Sequence, residues 1–244
     1  MRHIATMRDL KGPPWKHDSE LALVRDWFYP QHARQDAYSA PPPDMRKRAV
    51  SKINLYLFKA GDIPHAMLAT ANLTEAILHD NQPNREDHIS YNGISSIYSM
   101  AFVKFVNGFV DRDVARVATS NLATVDTESL EHDNIGTTTP TVKGGGESSM
   151  YAFAAKIGMP EGFVDLRHEI VHGGIPELWY LRKMTENALD WLWEKWWVKN
   201  ATGDPDRAMK EMELRTMEMG HSQRDTAPQQ DDTEMNDNRL DRIS

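Results

Sequence analysis

The chain contains no cysteine. Disulfides and thiolate metal sites are therefore excluded, and a reducing compartment is permitted. No run of residues approaches a membrane span. The opening stretch Met1–Asp9 has no apolar signal core. The expectation is a soluble, intracellular protein. No segment repeats at a fixed period, and no series of alternating residues reads as strands. The glycines at 144–146 lack the spacing of a phosphate-binding loop.

What is present bounds the rest. The chain has 244 residues, 40% hydrophobic and 26% charged, enough for one large domain or two small ones with a real core. Its net charge of −8 argues against unspecific nucleic-acid binding. The charge is uneven, because Ala201 to Ser244 carries eleven Asp and Glu against six Lys and Arg. Local basic clusters can therefore still meet phosphate. Arg46, Lys47, Arg48 and Lys52 form one, and Arg2, Arg8, Lys11 and Lys16 are scattered through another. Each also fits a solvated helix face.

Apolar spacing predicts helices throughout. The first carries Leu21, Val24, Trp27 and Phe28, with Asp18 or Ser19 as its cap and Pro30 at its end. Pro41-Pro42-Pro43 reads as a stiff spacer. Asp44 is placed to cap a second helix bearing Val50, Ile53, Leu57 and Phe58. Gly61 and Asp62 break it, and a third helix runs from Pro64 to about His79. A fourth, from about Glu86 to Val114, has a wide stripe that includes Ile94, Tyr98, Phe102, Phe105 and Phe109, so it should be central. Residues 118–149 are rich in Thr, Ser, Asn and Asp and read as a flexible insertion. A fifth helix follows, from Ser148 to Gly158. The helix after Pro176 runs to about Lys199 and holds Trp179, Trp191, Trp193, Trp196 and Trp197. Five tryptophans cannot all face one core, which suggests a docking surface. Asp206 to Met219 has helical character, and the rest of the polar tail reads as disordered. The fold class is all-α.

The most telling stretch runs from Phe163 to Gly174, Phe-Val-Asp-Leu-Arg-His-Glu-Ile-Val-His-Gly-Gly. It reads as a short helix stopped by two glycines, a residue that accepts the left-handed turn. Phe163, Leu166 and Ile170 share one face, while His168 and His172 share the opposite one beside Asp165. Arg167 falls on the apolar side, where a guanidinium needs a partner. Three readings compete. Arg167-His168-x-x-x-His172 suits a nuclease. His168-Glu169-x-x-His172 suits a zinc peptidase with Glu169 as base. Two half-exposed histidines on an amphipathic helix would need neither. The zinc reading lacks a third ligand unless Glu186 or Glu194 supplies it, and it leaves Arg167 unexplained.

The residues 166–173, Leu-Arg-His-Glu-Ile-Val-His-Gly, resemble the signature of the LAS family of ribosomal-RNA-processing endoribonucleases, members of the HEPN superfamily. Further landmarks occur in the family's order: Pro14-Trp15-Lys16, Ile63-Pro64-His65-Ala66, Leu78-His79-Asp80, the run Ala101 to Asp111, and Ile175-Pro176-Glu177-Leu178. The resemblance spans roughly residues 13–198. It implies a HEPN-type helical bundle over residues 1–200, with the flexible insertion near 118–149. A polar acidic tail, partly helical or disordered, follows over 201–244. It also implies a homodimer that cuts the second internal transcribed spacer of precursor ribosomal RNA in the nucleolus. Arg167, His168 and His172 match the family's catalytic positions. The basic cluster Arg46, Lys47, Arg48 and Lys52, read from charge and not from the resemblance, is the candidate for further RNA contacts. No metal or other cofactor is implied. A polynucleotide 5′-kinase is the expected partner. Larger members dock that kinase through a C-terminal region, whereas a short acidic tail follows Lys199 here. That difference keeps a non-catalytic scaffold or fragment as the alternative.

The chemistry fits those residue types. RNA carries its own nucleophile, the 2′-hydroxyl. Histidine titrates near neutrality and can act as base or acid. Arginine keeps its charge and offers a planar fork to the phosphate. The expected products are a 2′,3′-cyclic phosphate and a 5′-hydroxyl.

Overall fold

The computed structural model describes residues 12–33, 43–125 and 145–224. Among them there is no strand, and the architecture is an all-α bundle. Helix α1 (Asp18–Phe28) is followed by the single turn α2 (Pro30–Ala33), then α3 (Arg46–Ala60), α4 (His65–Asp80) and the turn α5 (Arg85–His88). The longest helix is α6 (Tyr91–Val125), followed by α7 (Gly145–Ile157) and α8 (Glu161–His172). Helix α9 (Leu178–Leu192) passes through a π-helical turn (Trp193–Trp197) into α10 (Val198–Asn200), and α11 (Pro205–Arg224) closes the described fold.

Helix α6 is the centre. It packs against α4, α7, α8 and α9. Ile94, Tyr98, Phe102, Phe105, Val106 and Val110 are all buried there. Removing a Phe of this kind from water is worth about 2–3 kcal/mol. Contrary to expectation, one stretch, Tyr91–Val110, is long and apolar enough to cross a membrane by length and composition. Half of it is buried inside the bundle, which is how a core helix satisfies the same test.

Several boundaries differ from the sequence reading for local reasons. The N-cap of α1 is His17, not Asp18 or Ser19; its Nδ1 accepts the Glu20 amide at 3.3 Å. Met45 holds the N-cap position of α3, but Asp44 serves from one residue earlier, its carboxylate accepting the Arg46 amide at 3.0 Å. Gly61 ends α3 at φ 77°, a left-handed turn for which glycine has no steric penalty. The fourth helix is broken. Ile89 is extended, and Ser90 restarts the chain by accepting the Gly93 amide on its hydroxyl at 3.1 Å.

Helix α6 continues to Val125 and α7 begins at Gly145, so helix occupies both ends of the expected insertion. Residues 126–144 lie outside the described residues. So do 225–244, residues 41 and 42 of the proline spacer, and Arg2, Arg8 and Lys11. Helix α11 packs along α1. Arg25 donates to the Ala201 carbonyl at 2.6 Å, and His17 meets Glu211 at 3.0 Å.

The tryptophans are mostly packed and, as expected, not all of them face the core. The π-helical turn rotates Trp193 and Trp197 toward α1. Trp197 is buried against Phe28 and donates to the Thr70 hydroxyl at 2.9 Å. Trp193 packs on Tyr29 at 5.0 Å and stacks on His32. Trp191 donates to the Gly158 carbonyl at 2.8 Å. Trp196 is half-buried against Trp197. Trp179 is the one that stays out, 67% exposed.

Candidate active site

Helix α8 is seated on α6 by aromatic packing. Phe163 meets Phe102 at 5.6 Å and Phe105 at 5.7 Å, both edge-on. Phe105 continues to Trp191, and Trp191 to Phe109. Each such pair adds about 0.5–1.5 kcal/mol beyond area burial. Val164 and Leu166 complete the buried face. This fixes the rotation of α8, and with it the direction of its polar residues.

His168 and His172 lie side by side, with ring centroids 4.6 Å apart and planes tilted by 47°. His168 is half-buried and His172 exposed. Asp165, one turn earlier, accepts a hydrogen bond from the Tyr151 hydroxyl of α7 at 2.7 Å. Val171 is exposed at the helix end. The helix stops at Gly173 as expected, though not by a left-handed turn: its φ is −102°. The Gly173 amide instead closes onto the Glu169 carbonyl at 2.7 Å. A Cβ on Gly173 would sit 3.0 Å from that oxygen, so the close pass favours glycine. Pro176 lies outside the next helix, with Glu177 at its N-cap.

Arg167 finds the partner its position demands. Its Nε donates to the Asn107 side-chain oxygen of α6 at 2.9 Å. Its two terminal amino groups have no hydrogen bond or ion pair among the described residues. Six other described arginines are held by carboxylates, Arg48 being the exception, resting on Trp27 and Met212. Arg25 pairs with Asp26, Arg46 with Asp44, Arg85 and Arg182 with Asp80, and Arg207 and Arg215 with Glu211.

The four basic residues of α3 stand elsewhere. Helix α3 packs on α1 and α4, while α8 packs on α6 and α7. Arg46 is bound to Asp44, and Lys52 forms an ion pair with Glu20. Arg48 lies over the Trp27 ring at 5.0 Å and reaches the Met212 sulfur. Lys47 is exposed. The groove of about 690 Å³ between α1 and α11 shares no residue with α8. Among the described residues, no group of three or more His, Cys, Asp or Glu is placed to hold a metal ion. The zinc reading therefore finds no third ligand there, from Glu186, Glu194 or elsewhere.

The Las1-like family model matches residues 13–129 and 135–199, most of the chain. The chain belongs to the Las1-like family. It is 30% identical over 190 residues to Protein LAS1 of Saccharomyces cerevisiae, covering 75% of this chain and 30% of that protein. It is 22% identical over 198 residues to the Pre-rRNA-processing protein las1 of Schizosaccharomyces pombe, covering 81% of this chain and 33% of that one. The chain thus spans about a third of the length of these curated relatives.

Within this Las1-like chain, landmarks distant in sequence meet in space. The His65 ring bonds the Phe105 carbonyl at 3.0 Å and occupies the space a Cβ on Gly108 would need, 2.0 Å from its Cε1. Glycine is thus what allows α4 to approach α6 there. Asn107, immediately before Gly108, accepts from Arg167. In the sequence Asn107 is marked only by its place within the run Ala101 to Asp111. Its pairing with a residue sixty positions away has no periodic signature.

Proposed function

We propose that this chain is a metal-independent endoribonuclease acting in ribosome biogenesis. It cuts the second internal transcribed spacer of precursor ribosomal RNA and leaves 2′,3′-cyclic phosphate and 5′-hydroxyl ends. Membership of the Las1-like family, with a relative named for pre-rRNA processing, supports the substrate class. The observation that carries the chemistry is the exposed end of α8. There, two imidazole rings lie with centroids 4.6 Å apart, and Arg167, next in sequence to His168, has terminal amino groups with no hydrogen bond or ion pair among the described residues.

One imidazole removes the 2′-hydroxyl proton, and the 2′-oxygen attacks the adjacent phosphorus. The bond to the 5′-oxygen breaks as a second imidazole donates its proton to that oxygen. Arg167 faces the charge that builds on the phosphoryl oxygens. Rings this close leave no space for a phosphate between them, whereas attacking and leaving oxygens stand on opposite sides of phosphorus. A second copy of the chain facing the first would supply the opposite imidazole. The reading is therefore a homodimer, with its active residues near the two-fold axis. The product's 5′-hydroxyl is the substrate a polynucleotide 5′-kinase requires, and the nucleolus is the compartment where such RNA is made. Residues 1–200 form the nuclease domain in this reading, and Lys47 is the member of the α3 cluster left open to RNA.

The test is incubation of the pure protein with spacer RNA in EDTA, followed by end-group analysis. Cyclic phosphate and 5′-hydroxyl ends are expected. Absence of cleavage, or cleavage only after adding a divalent metal, would overturn the proposal.

A further inference from the structure

We infer that Asn107 is a positioning residue that holds Arg167 as a phosphate fork without cancelling its charge. The inference rests on the nuclease reading above and names a part of the site that the α8 motif does not contain.

Arginine only donates hydrogen bonds, so the atom of Asn107 facing its Nε must be the amide oxygen. That bond is 2.9 Å long and joins the middle of α6 to the middle of α8. Both side chains are half-buried. One bond at Nε fixes the plane of the guanidinium. It leaves the end-on pair of amino groups, the pair that meets two phosphate oxygens at once. Neither is engaged among the described residues.

The partner's neutrality is the informative part. Six other described arginines are held by carboxylates. A carboxylate at position 107 would hold Arg167 at least as firmly, since charge-assisted bonds are the stronger ones. It would also offset the positive charge that a dianionic transition state needs. An amide supplies the acceptor and leaves the charge intact. The placement is rigid for reasons already described. Phe105, two residues before Asn107, is wedged against Phe163 and Trp191, and Gly108 admits the His65 ring.

The experiment is a double-mutant cycle read by single-turnover cleavage of a spacer-RNA hairpin in EDTA. Affinity for the same hairpin carrying 2′-O-methyl at every ribose, which cannot react, is measured alongside. Asn107→Ala should lower the cleavage rate roughly tenfold to a hundredfold, the scale of a misplaced catalytic group. It should change affinity for the methylated hairpin much less. In the Arg167→Ala background it should have almost no further effect, because a residue acting through Arg167 has nothing left to position. Asn107→Asp should stay folded with an equal or higher Tm and still cleave roughly tenfold more slowly, since its carboxylate offsets the fork. Should Asn107→Ala unfold, the isosteric Asp variant carries the test. Wild-type cleavage by Asn107→Ala while Arg167→Ala is inactive would overturn this inference and leave the nuclease reading standing. Losses that multiply in the double variant, or full activity in Asn107→Asp, would also overturn it. Wild-type cleavage by Arg167→Ala would sink both.

Discussion

Two arginine sites on this bundle use the same side chain to opposite ends. At the first, Asp80 at the C-terminus of α4 has a side chain only 5% exposed. It accepts two bonds from Arg182 of α9, at 2.6 and 2.9 Å, and one from the Tyr98 hydroxyl of α6 at 3.0 Å. Arg85 of α5 stands at 3.3 Å. Four elements meet on one carboxylate. Arg182 holds the Asp80 carboxyl below its ordinary range, and burial beside Asp80 pushes the Tyr98 hydroxyl up. At the second site Arg167 meets an amide, and its terminal amino groups have no partner among the described residues. A guanidinium cancelled by a carboxylate ties helices together. One tethered by a neutral acceptor keeps its charge for something else. In the proposed reading the partner, more than the arginine, separates a structural site from a reactive one.

Several substitutions break or sharpen that contrast. The largest effect belongs to α8. His168→Ala and His172→Ala should each slow cleavage by about a hundredfold or more, the usual scale for a lost general acid or base. Circular dichroism should show both folded, since neither ring is in the core. Arg167→Ala should lose a similar factor, and Arg167→Lys should recover little because an ammonium lacks the paired donors. At the other site the effects reverse. Asp80→Ala should cost about 2 kcal/mol of stability in denaturant unfolding, the scale of hydrogen bonds to a charged group, discounted because Arg182 is 44% exposed. Cleavage per folded molecule should be unchanged.

A smaller effect is expected at Gly108. An added methyl group must displace the His65 ring, so Gly108→Ala should cost about 1–2 kcal/mol by overpacking. The smallest effect is in the pH dependence. The Asp80 carboxyl is held below its ordinary 3.8 in the folded protein. Its contribution is therefore complete above that value and is lost as pH falls through the lowered folded value. Asp80→Asn should flatten the acid limb of the stability curve below about pH 4, with little change in slope at neutral pH.

The parts of this account that were legible in the sequence are those written in local periodicity. The stripe from Ile94 to Phe109 marked α6 as central. The break at Gly61, the stop at Gly173 and the shared face of His168 and His172 could be read directly. Interruptions and partners were less visible. Ser90 restarts a helix through one side-chain bond that a long apolar stripe conceals. The π-helical turn at Trp193–Trp197 needs one extra residue, and nothing in composition announces it. The anchorage of α11 depends on Arg25 meeting Ala201 and His17 meeting Glu211 across the fold, which its polar composition hides. Arg167 was known to need a partner from its place on the wheel. Which residue answered was decided by the packing of α8 on α6.

The most direct test sets the two arginine sites against each other. Single-turnover cleavage of a spacer-RNA hairpin in EDTA would be compared for the wild type, Arg167→Ala and Asp80→Ala, with the folded fraction of each sample measured by denaturant unfolding. Arg167→Ala is expected to be well folded and nearly inactive, and Asp80→Ala less stable but fully active per folded molecule. Activity that merely follows stability in both variants would contradict the account.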